Sequence, residues 1–582
     1  MSDAPAKTPW LLCAAAGLLM FAAFEPLGWG PLAWPSLVPL CLLARCETLP
    51  RRTYLAAYAG GLLWSVPSVA WMRLADPAMA FGWAALSAYM AAYFPLFVAL
   101  CRVGRDFAPR PLVAAVVWMG LELVRCRLMT GFPWYLLGHS QHEWATLCQV
   151  ADLGGAALIS GLIAGFAGVA AEAPRPAAFD RLRLPRPADA ADRFTGSAVA
   201  YGVVLAAAVG YGFLRLSQAD FTAGPRVALV QGNFTSRMKQ DRNMAPLMWR
   251  THARLTEIAT PEQPDLVVWP ETMYPYPLLE LPEGVPADWS RQVLGGTPEE
   301  VRGEDAARRE RLSGLALRSG AAAVIGVIRS VADPADPAAP FRDFNSAVYV
   351  RPDGTFGDAY GKVHRVPFGE YMPLSDWIPL LRRFSFVGPG LAAGEAVAAF
   401  EHPEATLIPN ICFEDTVPEL TAEAVREAPA GGERGLIVNL TNDGWFHGSA
   451  ELDQHLITAS FRCIETRTPM ARAVNTGVSA FIDGNGTVLE PEVMLNADAA
   501  VPSLDRPRGD GEPVPTTMRD ESGDYRRQFH GVLVTDVPLD PRGSVYLVIG
   551  DLIPALAAAV CLVLAVVGWV RRRKSKSAES PA

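Results

Sequence analysis

One cysteine stands where a strand could offer it as a nucleophile. In Leu407-Ile408-Pro409-Asn410-Ile411-Cys412-Phe413-Glu414-Asp415 an apolar β-type run, Thr406 to Ile411, ends on Cys412, and polar residues follow at once. Parallel-sheet enzymes place reactive groups at such strand ends, where the strand fixes the backbone and the next turn presents the side chain. Alone, a free cysteine after an apolar run is ordinarily a small buried hydrophobe. Two other residues give it chemical company. Glu271 closes Val267-Val268-Trp269-Pro270-Glu271, and Lys362 lies in Gly361-Lys362-Val363-His364-Arg365-Val366-Pro367-Phe368-Gly369-Glu370. A thiol that attacks an ester or amide needs a base for its proton and a cation or donor for the oxyanion. Glu271, Lys362 and Cys412 each sit at or just beyond a strand end, so a single rim could gather them.

Each residue also has a plainer reading. Glu271 after Pro270 fits the carboxylate of a helix N-terminus, and Lys362 fits a solvated hairpin. Against that, residues 225–543 contain only two lysines, Lys239 and Lys362, among many arginines. Lysine in so Arg-biased a chain suits a place needing a compact point charge, which an oxyanion wants more than a planar fork.

Other chemistries find little support. The nine cysteines are scattered with no CxxC pair, which is neither a disulfide framework nor a zinc site. Among eight histidines there is no HExxH, and His447 with His455 is too isolated a pair to hold a metal. The glycines before Lys362 have the wrong spacing for a phosphate loop, with Val363 where Ser or Thr belongs. Neither cofactor nor metal is expected. A net charge of −9 without a basic, aromatic-interleaved patch gives no footing for nucleic acid.

The elements that must position these residues fall into two kinds. The 582 residues are 51% hydrophobic and only 19% charged, with a mean hydropathy of +0.17, which leans towards a membrane protein of two or more units. Residues 1–220 carry apolar runs near 9–24, 33–45, 54–72, 78–101, 111–125, 152–171 and 196–215. An eighth run, 545–570, precedes the basic tail 571–582. The first resembles a signal peptide by itself, but the runs behind it favour a retained span. Arg45, Arg51 and Arg52, then Arg102, Arg105 and Arg110, then Arg175 to Arg193, fall with Lys7 in alternate joints. By the positive-inside rule both termini are cytoplasmic, and everything from about Pro225 to Gly543 lies outside. The joint 131–141, Gly-Phe-Pro-Trp-Tyr-Leu-Leu-Gly-His-Ser-Gln, is aromatic but too short to cross; it reads as an interface anchor or a lipid-facing surface.

Residues 225–543 alternate strand and helix signals. Strands are expected at Val227–Gln231, Leu266–Trp269, Ala322–Ile328, Thr406–Ile411, Leu436–Leu440, Ser479–Asp483 and Val532–Asp536, and helices at Met244–Ile258, Ala306–Arg318, 418–427 and Gln454–Ile464. Ala347–Val350 and Thr355–Ala359 flank the hairpin turn Pro352-Asp353-Gly354. That is an α/β layered domain. Pro- and Gly-rich residues 498–526 read as a surface insertion. Apolar aromatic stretches after Glu271 (Met273–Leu279) and Lys362 (Trp377–Phe386), with Trp445-Phe446, fit a lipid contact or an acyl groove as well as they fit core packing.

WPE at Trp269 to Glu271, GKVHRVPFGEYMP at Gly361 to Pro373 and ICFED at Ile411 to Asp415 resemble the Glu-Lys-Cys signature of the nitrilase superfamily. Joined to eight apolar runs and GFPWYLLGHSQ, nearly the whole chain resembles the apolipoprotein N-acyltransferase family; residues 498–526 have no counterpart in that pattern. The resemblance implies an α-β-β-α sandwich in the periplasm, carried by a polytopic helical domain in the bacterial inner membrane. It implies acyl transfer from a membrane phospholipid to the N-terminal cysteine amine of a diacylglyceryl apolipoprotein, by a monomer. It matches Glu271 to the general base, Lys362 to the oxyanion-stabilising lysine and Cys412 to the nucleophile, with Glu370 and Glu414 as further site carboxylates. A membrane-tethered carbon–nitrogen hydrolase would use the same acyl-enzyme, and a periplasmic binding or sensor module would have no use for it.

Overall fold

The computed structural model describes residues 7–188, 193–336, 339–372, 390–429, 434–496 and 517–579. Residues 498–516 of the expected insertion and the aromatic stretch Trp377–Phe386 lie outside these. The chain divides into two compact units, Met1–Gln218 with Ser449–Glu465 and Ser544–Ala582, and Ala219–Gly448 with Thr466–Gly543.

In the first unit every expected apolar run is helical: Thr8–Ala22, Ala33–Ser36 with Val38–Arg45, Arg51–Ser68, Met79–Ala91 with Tyr93–Gly104, Arg110–Arg127, Ala156–Ala170, Phe194–Ser217 and Leu552–Glu579. Among the described residues four stretches are long and apolar enough to cross a membrane: Arg51–Ala75, Met79–Gly104, Phe194–Ser217 and Leu552–Lys574. Ala145–Gly154 and Ala156–Ala170, bent by 115°, make a fifth if taken as one span. By this measure four or five of the eight expected spans qualify. The others fall short for local reasons: Thr8–Ala22 has 15 residues and Val38–Arg45 has 8, while Arg110–Arg127 carries the buried Glu122 and Arg125.

Small residues let these helices touch. A side chain at Gly17 would meet the Gly60 carbonyl oxygen at 2.1 Å, so Thr8–Ala22 and Arg51–Ser68 approach backbone to backbone, the packing that suits helices with no hydrophobic drive between them. Along Phe194–Ser217 only Gly212 is buried, and Val199, Val203, Phe213 and Leu214 are exposed. An apolar helix with so little protein cover suits a lipid surrounding.

The joint at 131–141 is neither an anchor nor a lipid-facing surface. Trp134, Tyr135, Leu136 and Leu137 are buried. Arg125 donates to the carbonyls of Trp134 (2.7 Å) and Tyr135 (3.0 Å), and Glu122 accepts from Leu137 N at 2.7 Å. Irregular backbone is thereby satisfied inside protein, as an apolar environment requires. Its aromatic rings also meet the helix Glu451–Thr466: Trp134 lies 5.3 Å from the His455 ring and His139 4.8 Å from Phe461. That explains why Ser449–Glu465 groups with the helical unit.

The second unit is built on two sheets. The strands are β1 (Arg226–Gln231), β2 (Leu266–Trp269), β3 (Leu278–Glu280), β4 (Ala322–Ala332), β5 (Phe341–Val350), β6 (Phe356–Gly361), β7 (Phe400–Glu401), β8 (Thr406–Ile411), β9 (Gly435–Thr441), β10 (Met470–Val474), β11 (Ala480–Ile482), β12 (Val488–Leu489), β13 (Val493–Asn496) and β14 (Gly531–Asp536). One sheet runs β13-β14-β1-β2-β4-β5-β6 with β3 beside β4; the other runs β12-β11-β10-β9-β8-β7. Parallel pairs fill the middle of each, β1-β2-β4 and β8-β9-β10, and antiparallel strands flank them. The central strands are buried on both faces, which is why they read as unbroken apolar runs. The sheets meet face to face, β1 against β10 and β5 against β8. On the outer face of the first, helices Ala245–Ala259 and Pro298–Ser319 cover a core of Val230, Val267, Trp269, Ile325 and Val348 with Leu255, Leu312 and Leu315. Helix Pro418–Glu427 packs on β8.

Candidate active site

Three strand ends converge. Glu271 stands two residues past β2, Lys362 one past β6 and Cys412 one past β8. Glu271 is held by close backbone packing. A side chain on Gly326 of β4 would lie 2.2 Å from the Pro270 oxygen and 2.8 Å from Glu271 Cα, so only glycine lets that loop lie on the strand. Lys362 continues the sheet: its N–H donates to Asn345 O at 2.8 Å, and its carbonyl accepts from Gly394 N at 2.7 Å. Cys412 is strained. Its φ of +52° is in the left-handed region, which costs a non-glycine residue about 1–3 kcal/mol and persists only where the surroundings over-determine it.

Those surroundings are a set of buried polar contacts. Glu414, fully buried, accepts through Oε1 from Tyr360 OH (2.8 Å), Val363 N (2.7 Å) and His364 N (2.9 Å), and through Oε2 from Ile411 N (2.8 Å). One carboxylate thus ties the Cys412 turn to the Lys362 loop. On the other side of that turn, Asp415 pairs with the buried Arg472, which also donates to Asn439 (2.8 Å) and Asp443 (3.2 Å). Asn439 donates in turn to Asn410 at 2.9 Å. Breaking a buried pair of this kind leaves an uncompensated charge, so the turn has few other conformations to adopt.

Lys362 is 1% exposed; its Nζ lies 2.9 Å from Glu370 Oε1 and 3.8 Å from Glu271 Oε1. Asn345 bridges the two carboxylates, its Nδ2 donating to Glu271 Oε1 at 2.5 Å and to Glu370 Oε1 at 3.4 Å. Glu370 Oε2 accepts from Val366 N at 2.7 Å. Burial alone would lower the Lys362 pKa, but Glu370, with Glu271 and Glu414, holds it above the ordinary range. The side chain is a fixed cation. Burial, then the charge of Glu271, pushes the Cys412 thiol well above its ordinary range, against the pull of Lys362. The resting sulfur therefore carries its proton. A neutral thiol beside a carboxylate and a permanent ammonium can lose its proton at the moment of attack and pass the developing charge to the lysine.

The five carboxylate, amine and thiol groups expected from the sequence stand in one constellation. Asn345, Tyr360 and Arg472 escaped that reading. Their only sequence signal is polarity within strand-like runs that are otherwise buried, a pattern that asks for a partner without naming it.

A family model described as "Apolipoprotein N-acyltransferase N-terminal domain" matches residues 16–169, and one described as "Carbon-nitrogen hydrolase" matches residues 226–499. A curated apolipoprotein N-acyltransferase of Geobacter metallireducens is 31% identical over 519 residues, covering 85% of this chain and 90% of that one. Another, from Rhodopirellula baltica, is 30% identical over 523 residues, covering 83% and 89%. Among solved structures, an amidase from Nesterenkonia sp. matches at 17% identity over 56% of this chain and 94% of that one, with a TM-score of 0.34. Both units are thus accounted for in order along one chain, which belongs to the apolipoprotein N-acyltransferase family, its second unit carrying the carbon–nitrogen hydrolase domain.

Proposed function

We infer that this chain moves an acyl group from a membrane phospholipid to the α-amine of the N-terminal cysteine of a diacylglyceryl apolipoprotein, through a thioester on Cys412. The observation that carries the site assignment is the buried Lys362 ammonium held between Glu370 and Glu271, on a loop that Glu414 ties to the Cys412 turn. In the first half-reaction the sulfur attacks the ester carbonyl carbon and Glu271 takes the thiol proton. Lys362 holds the tetrahedral oxyanion, the C–O bond breaks, and the leaving lysophospholipid oxygen takes the proton back. In the second half-reaction Glu271 takes a proton from the incoming amine, whose ordinary pKa of about 8 leaves it mostly charged. The nitrogen attacks the thioester, the C–S bond breaks, the sulfur recovers that proton from Glu271, and the second proton of the charged amine leaves to solvent.

The chain crosses the bacterial inner membrane eight times as a monomer, with both termini cytoplasmic and the domain 225–543 periplasmic. The alternating arginine joints and the bare apolar helix Phe194–Ser217 support it. For a transferase the thioester must outlast the wait for its second substrate, so its surroundings must keep water away.

Incubating the purified protein with phospholipid alone should add one acyl mass, removable by hydroxylamine, and add none to Cys412→Ala. A diacylglyceryl-cysteinyl peptide should then discharge the adduct onto its amine. Rapid release of free fatty acid, with no gain by the peptide, would instead make this chain an amidase-like hydrolase.

A further inference from the structure

The second unit holds two lysines, and both stand at the site. Lys239 lies on the short helix Ser236–Gln240 that follows β1, with Thr235 accepting from Met238 N at 3.3 Å to start the turn. Its half-buried side chain reaches back to Glu271, where Nζ donates to the backbone carbonyl at 3.4 Å. Among the described residues that is the side chain's only hydrogen bond, and none of their carboxylate oxygens comes within 4.0 Å of Nζ. Lys362 is matched by Glu370 and Glu271; Lys239 is matched by neither, although it feels the charges of Glu271, Lys362 and Glu370. The site therefore presents one ammonium already neutralised and one that is not. Burial pushes the second below its ordinary range, with Glu271 opposing. An ammonium kept partly out of water without an anion is costly until an anion arrives.

We propose that Lys239 receives the phosphodiester of the acyl donor, so that it selects phosphate-bearing lipids and orients their ester towards Cys412. The inference rests on the phospholipid reading above. A phospholipid carries its phosphodiester a few bonds from the ester carbonyl, and Lys239 stands beside the backbone of Glu271, the proton acceptor for the same attack. A charge-assisted bond between ammonium and phosphate is stronger than one between neutral groups and is made by a point charge as readily as by a fork. Lys239 is then a specificity-determining residue for the donor half of the reaction; Lys362 keeps the oxyanion.

The test uses the full chain in detergent micelles and follows thioester formation on Cys412 with no peptide acceptor. Wild type, Lys239→Gln and Lys239→Arg are each given phosphatidylethanolamine, a diacylglycerol with the same acyl chains, and a p-nitrophenyl acyl ester. Lys239→Gln should lose roughly 10- to 100-fold in kcat/KM on the phospholipid, the worth of a hydrogen bond to a charged group. That loss should sit mainly in KM, exceed the loss on either phosphate-free donor at least fivefold, and be largely restored by Lys239→Arg. Equal losses on all three donors would make Lys239 a mere prop for the Glu271 backbone, and no loss on the phospholipid would remove it from the site. Inorganic phosphate separates the two sources of such an anion. Inhibition of the p-nitrophenyl reaction in the wild type at millimolar levels, without donor discrimination, would assign the position to free phosphate and overturn the lipid assignment. Failure of the wild type to accept acyl from phospholipid would sink the functional reading itself, and that is seen before any variant is compared.

Discussion

The side-chain amide of Asn345 lies 2.5 Å from Oε1 of Glu271 and reaches across to Glu370 at 3.4 Å. It sets the spacing of the two carboxylates that flank Lys362. Two like charges around one cation must be held apart as well as attracted, and a neutral donor shared between them does both.

Replacing that donor by an acceptor should be damaging. Asn345→Asp places a third carboxylate against Glu271 and Glu370, and the expected loss in the acylation rate is about 10- to 100-fold. Asn345→Ala removes the donor without adding charge and should lose less than the Asp variant. Size-exclusion and limited proteolysis would show that both variants fold. Wild-type rates in Asn345→Asp would mean that the bridge is not needed for chemistry.

Lys362 should not tolerate arginine. The side chain is 1% exposed and fits between oxygens at 2.9 and 3.8 Å. A guanidinium keeps the charge but is flat and larger, so it cannot occupy the same point. Loss of one oxyanion donor typically costs ~10²–10³ in rate. Lys362→Arg is therefore expected within about tenfold of Lys362→Ala, both inserted and folded. Near-normal turnover by the Arg variant would take Lys362 out of the reaction.

The eight-crossing arrangement has a direct check. A compartment-sensitive reporter fused after Ala223 should read as periplasmic and one fused after Ala582 as cytoplasmic. The same compartment for both would refute the arrangement drawn from the arginine joints.

How far the sequence disclosed this depended on whether a feature was local. The strand bearing Cys412 was legible because a run buried on both faces shows as continuous apolar residues, and β8 spans Thr406–Ile411 as expected. β2 and β1 follow the same logic. The 131–141 segment was misread because its partners are distant. Its apolar residues look interfacial until Arg125 and Glu122 are seen to satisfy its backbone and the helix Glu451–Thr466 to meet its rings. That same helix was read as part of the α/β layers, since its periodicity reveals an apolar face but not which unit covers it. The clamp made by Glu414 is non-local in the same way. Its sequence neighbours contribute Ile411, whereas Tyr360, Val363 and His364 come from about fifty residues away.

Glu414 should give the protein two opposite pH dependences. Burial pushes its carboxyl from the ordinary 4.5 up to about 7, with Lys362 and the bonds from His364, Ile411 and Tyr360 drawing it back. A folded-state value above the unfolded one means that the folded protein holds this proton more tightly. The stability it contributes is thus full below about 4.5 and lost as the pH rises through about 7. Catalysis runs the other way. All four contacts come from donors, so the carboxylate can accept them all, whereas the protonated acid turns one oxygen's hydrogen towards a donor and gives up a bond. The Cys412 turn then loses part of the restraint that holds its positive φ. Between about pH 5 and pH 8 the melting temperature should fall while thioester formation rises. Glu414→Gln cannot titrate and faces the same donors with an amide NH₂. Its melting temperature should lose the share of the slope due to this group, and its acylation rate should stay near the low wild-type value of pH 5 throughout. A Gln variant that keeps both wild-type slopes would show that another group sets them and that Glu414 is an ionised, non-titrating brace.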